Sequence, residues 1–109
     1  MRTSSGVAED FLNRGIFFSE LGNRTQAIDF FTRSIRFAST WADTYYFRGV
    51  AFNRNGDFQK ALADFDKTIE LKPNHALAHF HRAHCRRVLG DEAGAQADFA
   101  KAEELGCNY

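Results

Sequence analysis

A chain of 109 residues is long enough for one domain with a modest core and too short for a cofactor domain joined to a substrate domain. Its 14 basic and 14 acidic residues cancel, so the overall charge gives no basis for expecting nucleic acid or an anionic membrane as a partner. No apolar run approaches the roughly 18 residues of a membrane span, and the N-terminal segment lacks a signal-peptide pattern.

The two cysteines, Cys85 and Cys107, are far apart and form neither a CxxC pair nor a disulfide framework. Free thiols are typical of a reducing compartment. Together with the missing export signal, they predict a cytoplasmic location.

Several residue types recur at intervals of 34 positions, which indicates a repeat protein. The recurring sets are Gly22, Gly56 and Gly90; Ala27, Ala61 and Ala95; Phe31, Phe65 and Phe99; Arg14, Arg48 and Arg82; and Gly15, Gly49 and Ala83. These registers predict repeats at 8–41, 42–75 and 76–109, which form a single domain from 8 to 109. The preceding segment, 1–7, is expected to be a flexible N-terminus.

Each repeat divides into two helices at its recurring glycine. On each side of the turn in the middle repeat, apolar and small residues follow at three- and four-residue steps, which is the spacing of one helical face. The predicted helices span 8–21, 24–38, 42–55, 58–71, 75–89 and 92–105. Asp57 and Asp91 are predicted N-caps of second helices, and Asn74 and the Ser39-Thr40 pair are predicted N-caps of first helices.

The stretch TYYFRGVAFNRNGDFQKALADFDKTIELKPN closely resembles a tetratricopeptide repeat. The matching signature positions are Tyr45, Gly49, Phe52, Ala61, Phe65 and Pro73. The Arg-Gly and Asp-Phe pairs are most similar to those of small bacterial members of the family. The third repeat departs most, with His79, Arg86 and Cys107 in place of two aromatic residues and the proline. The resemblance implies an all-α solenoid of three helix-turn-helix repeats, with six helices in a right-handed superhelix.

The resemblance also implies a scaffold or adaptor that binds a peptide or partner helix in a concave groove along the first helices, without catalysis. Apolar groups there would supply affinity, and polar groups would fix the register of the peptide. The expected groove residues are Leu12, Ile16, Glu20, Tyr46, Val50, Asn53, Arg54, Phe80, His84 and Arg87. Some relatives hold terminal carboxylates of a peptide with lysine and asparagine at fixed places. Those places here carry Leu12, Ile16, Phe47, Leu77 and His81. A clamp of that kind is therefore not expected.

All four histidines fall within ten residues, beside Cys85 and in a stretch without acidic residues. They are His75, His79, His81 and His84. Pairs four residues apart could chelate zinc, but the pairs point in different directions around a helix. The alternatives are ordinary packing, or a cationic surface with Arg82, Arg86 and Arg87 that binds an acidic partner more strongly below about pH 6.5. No metal or cofactor is predicted.

The recurring arginines are expected to form ion pairs within the repeats. Arg48 and Arg82 would pair with Asp64 and Asp98 across the two helices, because buried charges need partners. The first repeat carries Phe30 at that place and Asp29 one residue earlier, so the same pairing is not predicted for its arginine.

An alternative function is end-to-end self-assembly into a homo-oligomer. The last predicted helix carries Phe99, Ala102 and Leu105 in the repeat pattern, and no polar capping helix follows Gly106, so a second copy could cover that face. Asn108-Tyr109 also matches the start of a further repeat. No arrangement of nucleophile and base or phosphate loop stands out, so an enzyme is not expected.

Overall fold

Six α-helices and no strands make up residues 3–107, the part of the chain that the computed structural model describes. The helices are α1 (Ser4–Glu20), α2 (Arg24–Phe37), α3 (Ala42–Arg54), α4 (Phe58–Leu71), α5 (Ala76–Val88) and α6 (Glu92–Glu104). The predicted all-α repeat solenoid is confirmed, and every helix boundary except the first lies within one residue of its prediction. The first helix begins earlier, at Ser4, because the Thr3 hydroxyl accepts a hydrogen bond from the Gly6 N–H at 3.0 Å.

The helices pack as three hairpins, α1 with α2, α3 with α4 and α5 with α6. Each second helix also packs on the next first helix, and the first helices contact one another in order. The stacked hairpins form an elongated body of 48 × 25 × 21 Å. The first helices therefore lie side by side along the solenoid. None of the six helices in the described part of the chain combines the length and apolar character needed to cross a bilayer.

Small residues allow the two helices of a hairpin to approach closely, as their recurrence predicts. A Cβ atom added to Gly49 would lie 2.7 Å from the ring of Phe65, which is fully buried. Gly15 stands in the same relation to Phe31. The recurring alanines of the second helices are also fully buried, at Ala27, Ala61 and Ala95. Because interiors are packed without spare volume, these positions fix the spacing within each hairpin.

Each hairpin turns at a glycine whose backbone is left-handed. Gly22, Gly56 and Gly90 have φ angles of +80°, +83° and +91°, a region that residues with a Cβ rarely adopt. The residue after the last of these turns caps α6 as predicted, since Asp91 Oδ1 accepts the Gly94 N–H at 2.9 Å. The recurrence of glycine thus marks a backbone requirement.

Three predicted helix caps are wrong, at α3, α4 and α5, and the last of these is made by His75. The Asp57 carboxylate makes no bond to the start of α4 and instead accepts a hydrogen bond from Asn55 Nδ2 at 2.9 Å. Neither Ser39 nor Thr40 caps α3, because the residue at the N-cap position is Trp41, which makes no side-chain cap hydrogen bond. A neighbouring polar group or a shift of one residue is enough to defeat a cap predicted from residue type alone.

A buried ion pair joins the two helices in the second and third hairpins, as predicted. Arg48 donates to both carboxylate oxygens of Asp64 at 2.8 Å, and Arg82 does the same to Asp98 at 2.8 Å. Each aspartate is only 4% exposed. Burial raises the pKa of Asp64, and the hydrogen bonds and charge of Arg48 oppose that rise. The pairs therefore connect the helices and satisfy charges that the fold takes out of water.

Candidate functional site

The ten residues predicted to line a groove lie on the three neighbouring first helices, three on α1, four on α3 and three on α5. We call the surface of α1, α3 and α5 that carries them the groove face. Nine of the ten border one of three hollows in this region. The structure thus brings most of the predicted residues next to open space, while their contact with a ligand stays a prediction.

The first of these, the α1–α3 hollow, has a volume of about 210 Å³. It is lined by Ile16, Ser19, Glu20, Tyr46, Phe47, Val50 and Arg54. The aliphatic and aromatic side chains of the lining are half-buried, whereas Glu20 and Arg54 are exposed. The hollow therefore offers apolar contact beside two opposite charges.

The second, the α5–α6 cleft, is larger and more open, with a volume of about 620 Å³. It is lined by Phe80, His84, Arg87, Gln96, Phe99, Ala100 and Glu103. The Arg87 guanidinium lies 3.0 Å from the Glu92 carboxylate, and its central carbon lies 4.8 Å from the centroid of the Phe99 ring. Because an ion pair and a ring already hold this arginine, its charge is less available to a ligand than that of a free guanidinium.

Two of the predicted residues lie apart from these hollows. Leu12 borders a third hollow of about 320 Å³, together with Trp41 and Lys72. Asn53 borders none of the three, and its Oδ1 accepts a hydrogen bond from the buried Cys85 thiol at 3.6 Å. Asn53 therefore joins α3 to α5.

A row of ring contacts connects the α1–α3 hollow with the α5–α6 cleft. Tyr46 lies 5.5 Å from Phe47 and 5.7 Å from His81, measured between ring centroids. His81 lies 5.4 Å from Phe80, which in turn lies 4.8 Å from His84. We call these five side chains the ring row. Rings at these distances pack favourably, so the ring row gives the groove face a continuous surface for apolar contact.

The two polar rings in the middle of this row are neutral at physiological pH. Burial, reinforced by the positive charges that His84, Arg54 and His75 can carry, lowers the pKa of His81 to about 4. Burial raises the pKa of Tyr46, against an opposing effect of Arg54. Burial also lowers the pKa of His75. The expectation that histidine protonation near pH 6.5 makes this surface cationic is therefore wrong for His75 and His81.

The histidines make their remaining contacts at different places in the fold. His75, rather than Asn74, caps α5, since its Nδ1 accepts the Ala78 N–H at 3.1 Å. His79 is buried, and its Nε2 donates to the Pro73 carbonyl oxygen at 2.8 Å. Within residues 3–107, no three His, Cys, Asp or Glu side chains come together in a group that could hold a metal ion. The geometry gives the zinc alternative no support.

Arg82, Arg86 and Arg87 do not form the cationic surface that was one of the alternatives for this stretch. Arg82 and Arg86 both turn to the buried carboxylate of Asp98, and the Arg86 contact is 2.9 Å long. Arg87 lies at the α5–α6 cleft instead. Adjacent positions on a helix point in different directions, so a run of basic residues in the sequence need not give a basic face.

Sequence reasoning missed Phe47 as a lining residue of the groove face. Its ring borders the α1–α3 hollow and belongs to the ring row. The signal was present in the repeat pattern, because Phe47 stands 34 positions before His81, another member of the ring row. Comparison of equivalent positions identifies such residues better than helix periodicity within one repeat.

Comparison with known proteins agrees with this architecture. A family profile described as the tetratricopeptide repeat matches residues 42–75. No curated protein sequence matches the chain significantly. Among solved structures, the Arabidopsis OM64 TPR domain is 25% identical, with a TM-score of 0.92 over 94% of this chain and 85% of that domain.

Two other solved structures are similarly related. The second TPR of Spaghetti (RPAP3), bound to the HSP90 peptide SRMEEVD, is 26% identical, with a TM-score of 0.91 over 93% of this chain and 94% of that one. MamA is 27% identical, with a TM-score of 0.88 over 94% of this chain and 59% of its own. All three match nearly the whole of this chain.

Proposed function

Because this chain is a tetratricopeptide-repeat protein, we propose that it is a non-catalytic interaction module that holds a peptide or partner helix on its groove face. The observation that carries the proposal is the continuity of that face. The ring row leads from the α1–α3 hollow to the α5–α6 cleft, so anchor side chains of one ligand can occupy both. Aromatic and aliphatic anchors in pockets supply most of the affinity of such interfaces.

The similarity to a peptide-bound TPR of Spaghetti supports a peptide as the ligand. The groove face lacks the lysine and asparagine expected of a clamp for terminal carboxylates, as the exposed Leu77 and the half-buried Ile16 illustrate. The ligand of this chain is therefore expected to bind mainly through apolar side chains. Its register would be set by the few polar groups of the groove face.

Affinity capture with two matched variants tests the proposal. The groove variant combines Tyr46→Ala with Arg54→Ala, which removes a ring and a guanidinium from the α1–α3 hollow. The control combines Phe37→Ala with Arg36→Ala, which removes the same kinds of group from the exposed side of α2. Both variants are first shown to be folded by circular dichroism.

The proposal expects that the groove variant loses partners that the wild-type chain and the control variant both retain. Each captured partner is then tested by fluorescence polarisation, with synthetic peptides that cover its sequence. Identical partner lists for the groove variant and the wild type would show that binding, if any, occurs elsewhere.

End-to-end assembly through α6, the other candidate, meets a contrary observation. α6 carries Gln96 and Glu103 at the repeat positions where α2 carries Ile28 and Ile35. Polar side chains on this face suit contact with water better than burial under another copy. The start of a further repeat at Asn108-Tyr109 lies outside the described residues. Light scattering over a range of concentrations tests assembly directly, and a mass that rises with concentration would favour it.

A further inference from the structure

Arg54 is an arginine of the groove face whose charge has no partner in the described part of the fold. Arg48, Arg82 and Arg87 each bind a carboxylate, whereas Arg54 forms no ion pair or hydrogen bond within residues 3–107. The Glu20 carboxylate borders the same α1–α3 hollow but does not come within ion-pair distance of the Arg54 guanidinium. A guanidinium beside apolar side chains and without a partner is suited to an anionic group of a ligand.

A hydrogen-bond donor also borders this hollow, opposite in character to the Glu20 carboxylate. Tyr46 borders the same hollow, and its hydroxyl binds no group in the described chain, whereas the hydroxyl of the preceding residue, Tyr45, donates to the Ser39 carbonyl oxygen at 2.9 Å. Arg54 and Tyr46 line the same hollow. A guanidinium and a phenolic hydroxyl therefore both border one hollow of the groove face.

From this arrangement we propose that the groove face recognises a carboxylate side chain of its peptide ligand, bound by Arg54 and the Tyr46 hydroxyl. The inference rests on the proposed function and specifies its ligand. The apolar lining of the same α1–α3 hollow, Ile16, Phe47 and Val50, contacts an aliphatic side chain of the same peptide. In an extended peptide, side chains two residues apart point to the same side, so the favoured ligand carries an aliphatic residue next but one to Asp or Glu.

The carboxylate comes from a side chain rather than from the end of a peptide. The ring row continues from Tyr46 through His81 and Phe80 to the α5–α6 cleft. A ligand whose C-terminal part occupies the cleft therefore continues past the hollow that Arg54 borders. Its terminal carboxylate would lie away from the guanidinium.

Selection from a random-peptide library displayed on phage tests the inference even though the natural partner is unidentified. Wild-type protein is expected to select peptides in which an aliphatic residue lies close to Asp or Glu. Selection on Arg54→Gln is expected to lose the acidic preference and keep the aliphatic one. The matched control is Arg36→Gln, which removes an exposed arginine of α2 and is expected to behave as wild type.

The strongest selected peptide is then synthesised with blocked ends, and again with its acidic residue replaced by the corresponding amide, Gln for Glu or Asn for Asp. For wild type, the neutral peptide is expected to bind about 10-fold to 100-fold more weakly, the range of a charge-assisted hydrogen bond. In Arg54→Gln the two peptides should bind alike. A peptide with the neutral residue and a free terminal carboxylate should bind wild type as weakly as the neutral peptide with blocked ends.

The two proposals fail in different ways. If selected peptides bind the groove face but show no acidic preference, or if the neutral and acidic peptides bind wild type equally, the carboxylate site is wrong and the proposed function stands. Recovery by the free terminus would also overturn the side-chain assignment. If no peptide is selected on wild type above the Tyr46→Ala, Arg54→Ala variant, both proposals are wrong.

Discussion

Where α3 meets α4 and α5 meets α6, an arginine and a buried aspartate join the helices, whereas phenylalanine rings occupy that place between α1 and α2. Phe30 stands at the repeat position of Asp64 and Asp98. Its ring centroid lies 5.4 Å from that of Phe18 and 6.2 Å from that of Phe11. The repeat position thus requires a firm contact between two helices, and ion pairing or ring packing can supply it.

The two kinds of contact respond differently to mutation. Arg14, the equivalent of Arg48 in the first hairpin, stays exposed, and its guanidinium lies 6.0 Å from the Phe11 ring centroid. Removing a ring there reduces apolar contact in proportion to the buried area. Removing one member of a buried ion pair leaves the other charge without a partner, which costs more than the pair itself contributed.

The largest expected effect follows from Asp98→Ala. Asp98 binds both Arg82 and Arg86 while almost fully buried, so its loss leaves two guanidinium groups short of a partner. We expect the free energy of unfolding to fall by about 3–5 kcal/mol. Asp64→Ala, which removes the partner of one arginine, is expected to cost less, and both are measured by urea denaturation.

Asp66→Ala is the matched control for this prediction. Asp66 binds the same Arg82 at 3.0 Å, but its side chain is 54% exposed. An exposed pair contributes about 1 kcal/mol or less. Equal losses for the Asp98 and Asp66 variants would show that burial of the ion pair is not what makes the third hairpin sensitive.

The fold could be predicted almost completely from the sequence, because the recurring glycines and alanines have the same steric task in each hairpin. Gly22, Gly56 and Gly90 adopt a left-handed backbone conformation, and Gly49 leaves room for the ring of Phe65. The spacing of these glycines therefore determines where the helices end and how closely they pack. The caps were less predictable. Whether Asp57 caps a helix depends on a competing bond to Asn55, which residue type does not reveal.

The candidate site could be predicted only in outline. The family resemblance identified the helices that form the groove face, but the partners of each charge depend on side-chain direction. Arg86 looked like a surface cation and binds a buried carboxylate, whereas Arg54 has no partner within residues 3–107. Asn53, a predicted ligand contact, also bonds to the Cys85 thiol. Such choices depend on distances across helices that no spacing in the sequence encodes.

A smaller effect on stability is expected when the pH is lowered. It arises at His81, where the third hairpin has an imidazole ring and the second has the phenyl ring of Phe47. His81 stacks on Phe65 at 5.8 Å, as Phe47 stacks on Phe31 at 6.0 Å. Because the pKa of His81 is about 4 in the folded chain and has its ordinary value of 6.5 once the chain unfolds, the unfolded chain takes up the proton first. The contribution of neutral His81 to the free energy of unfolding is therefore fully present above about pH 6.5. It is lost as the pH falls from 6.5 to 4, and the loss is at most about 3 kcal/mol.

His81→Phe restores the ring that Phe47 provides in the second hairpin and removes the titrating group. Its free energy of unfolding, measured by urea denaturation from about pH 7 to about pH 4.5, is expected to decline less than that of the wild type. A residual decline remains, because the lowered pKa of His75 acts in the same direction. Parallel pH profiles for variant and wild type would contradict a role for His81.

The smallest effect tests whether the first hairpin can adopt the chemistry of the other two. Phe30→Asp and Phe30→Asn both remove the ring contacts with Phe11 and Phe18, so both are destabilising. Only the aspartate can pair with Arg14, and we expect it to be more stable than the asparagine variant by about 0.5–1 kcal/mol, the value of a partly exposed pair. In an Arg14→Gln background the difference should shrink to the contribution of Arg33, which lies 5.6 Å from the Phe30 ring centroid and already pairs with Asp29. An undiminished difference there, measured by thermal unfolding, would mean that position 30 gains nothing from the recurring arginine, and that the ring packing of the first hairpin excludes the ion pair.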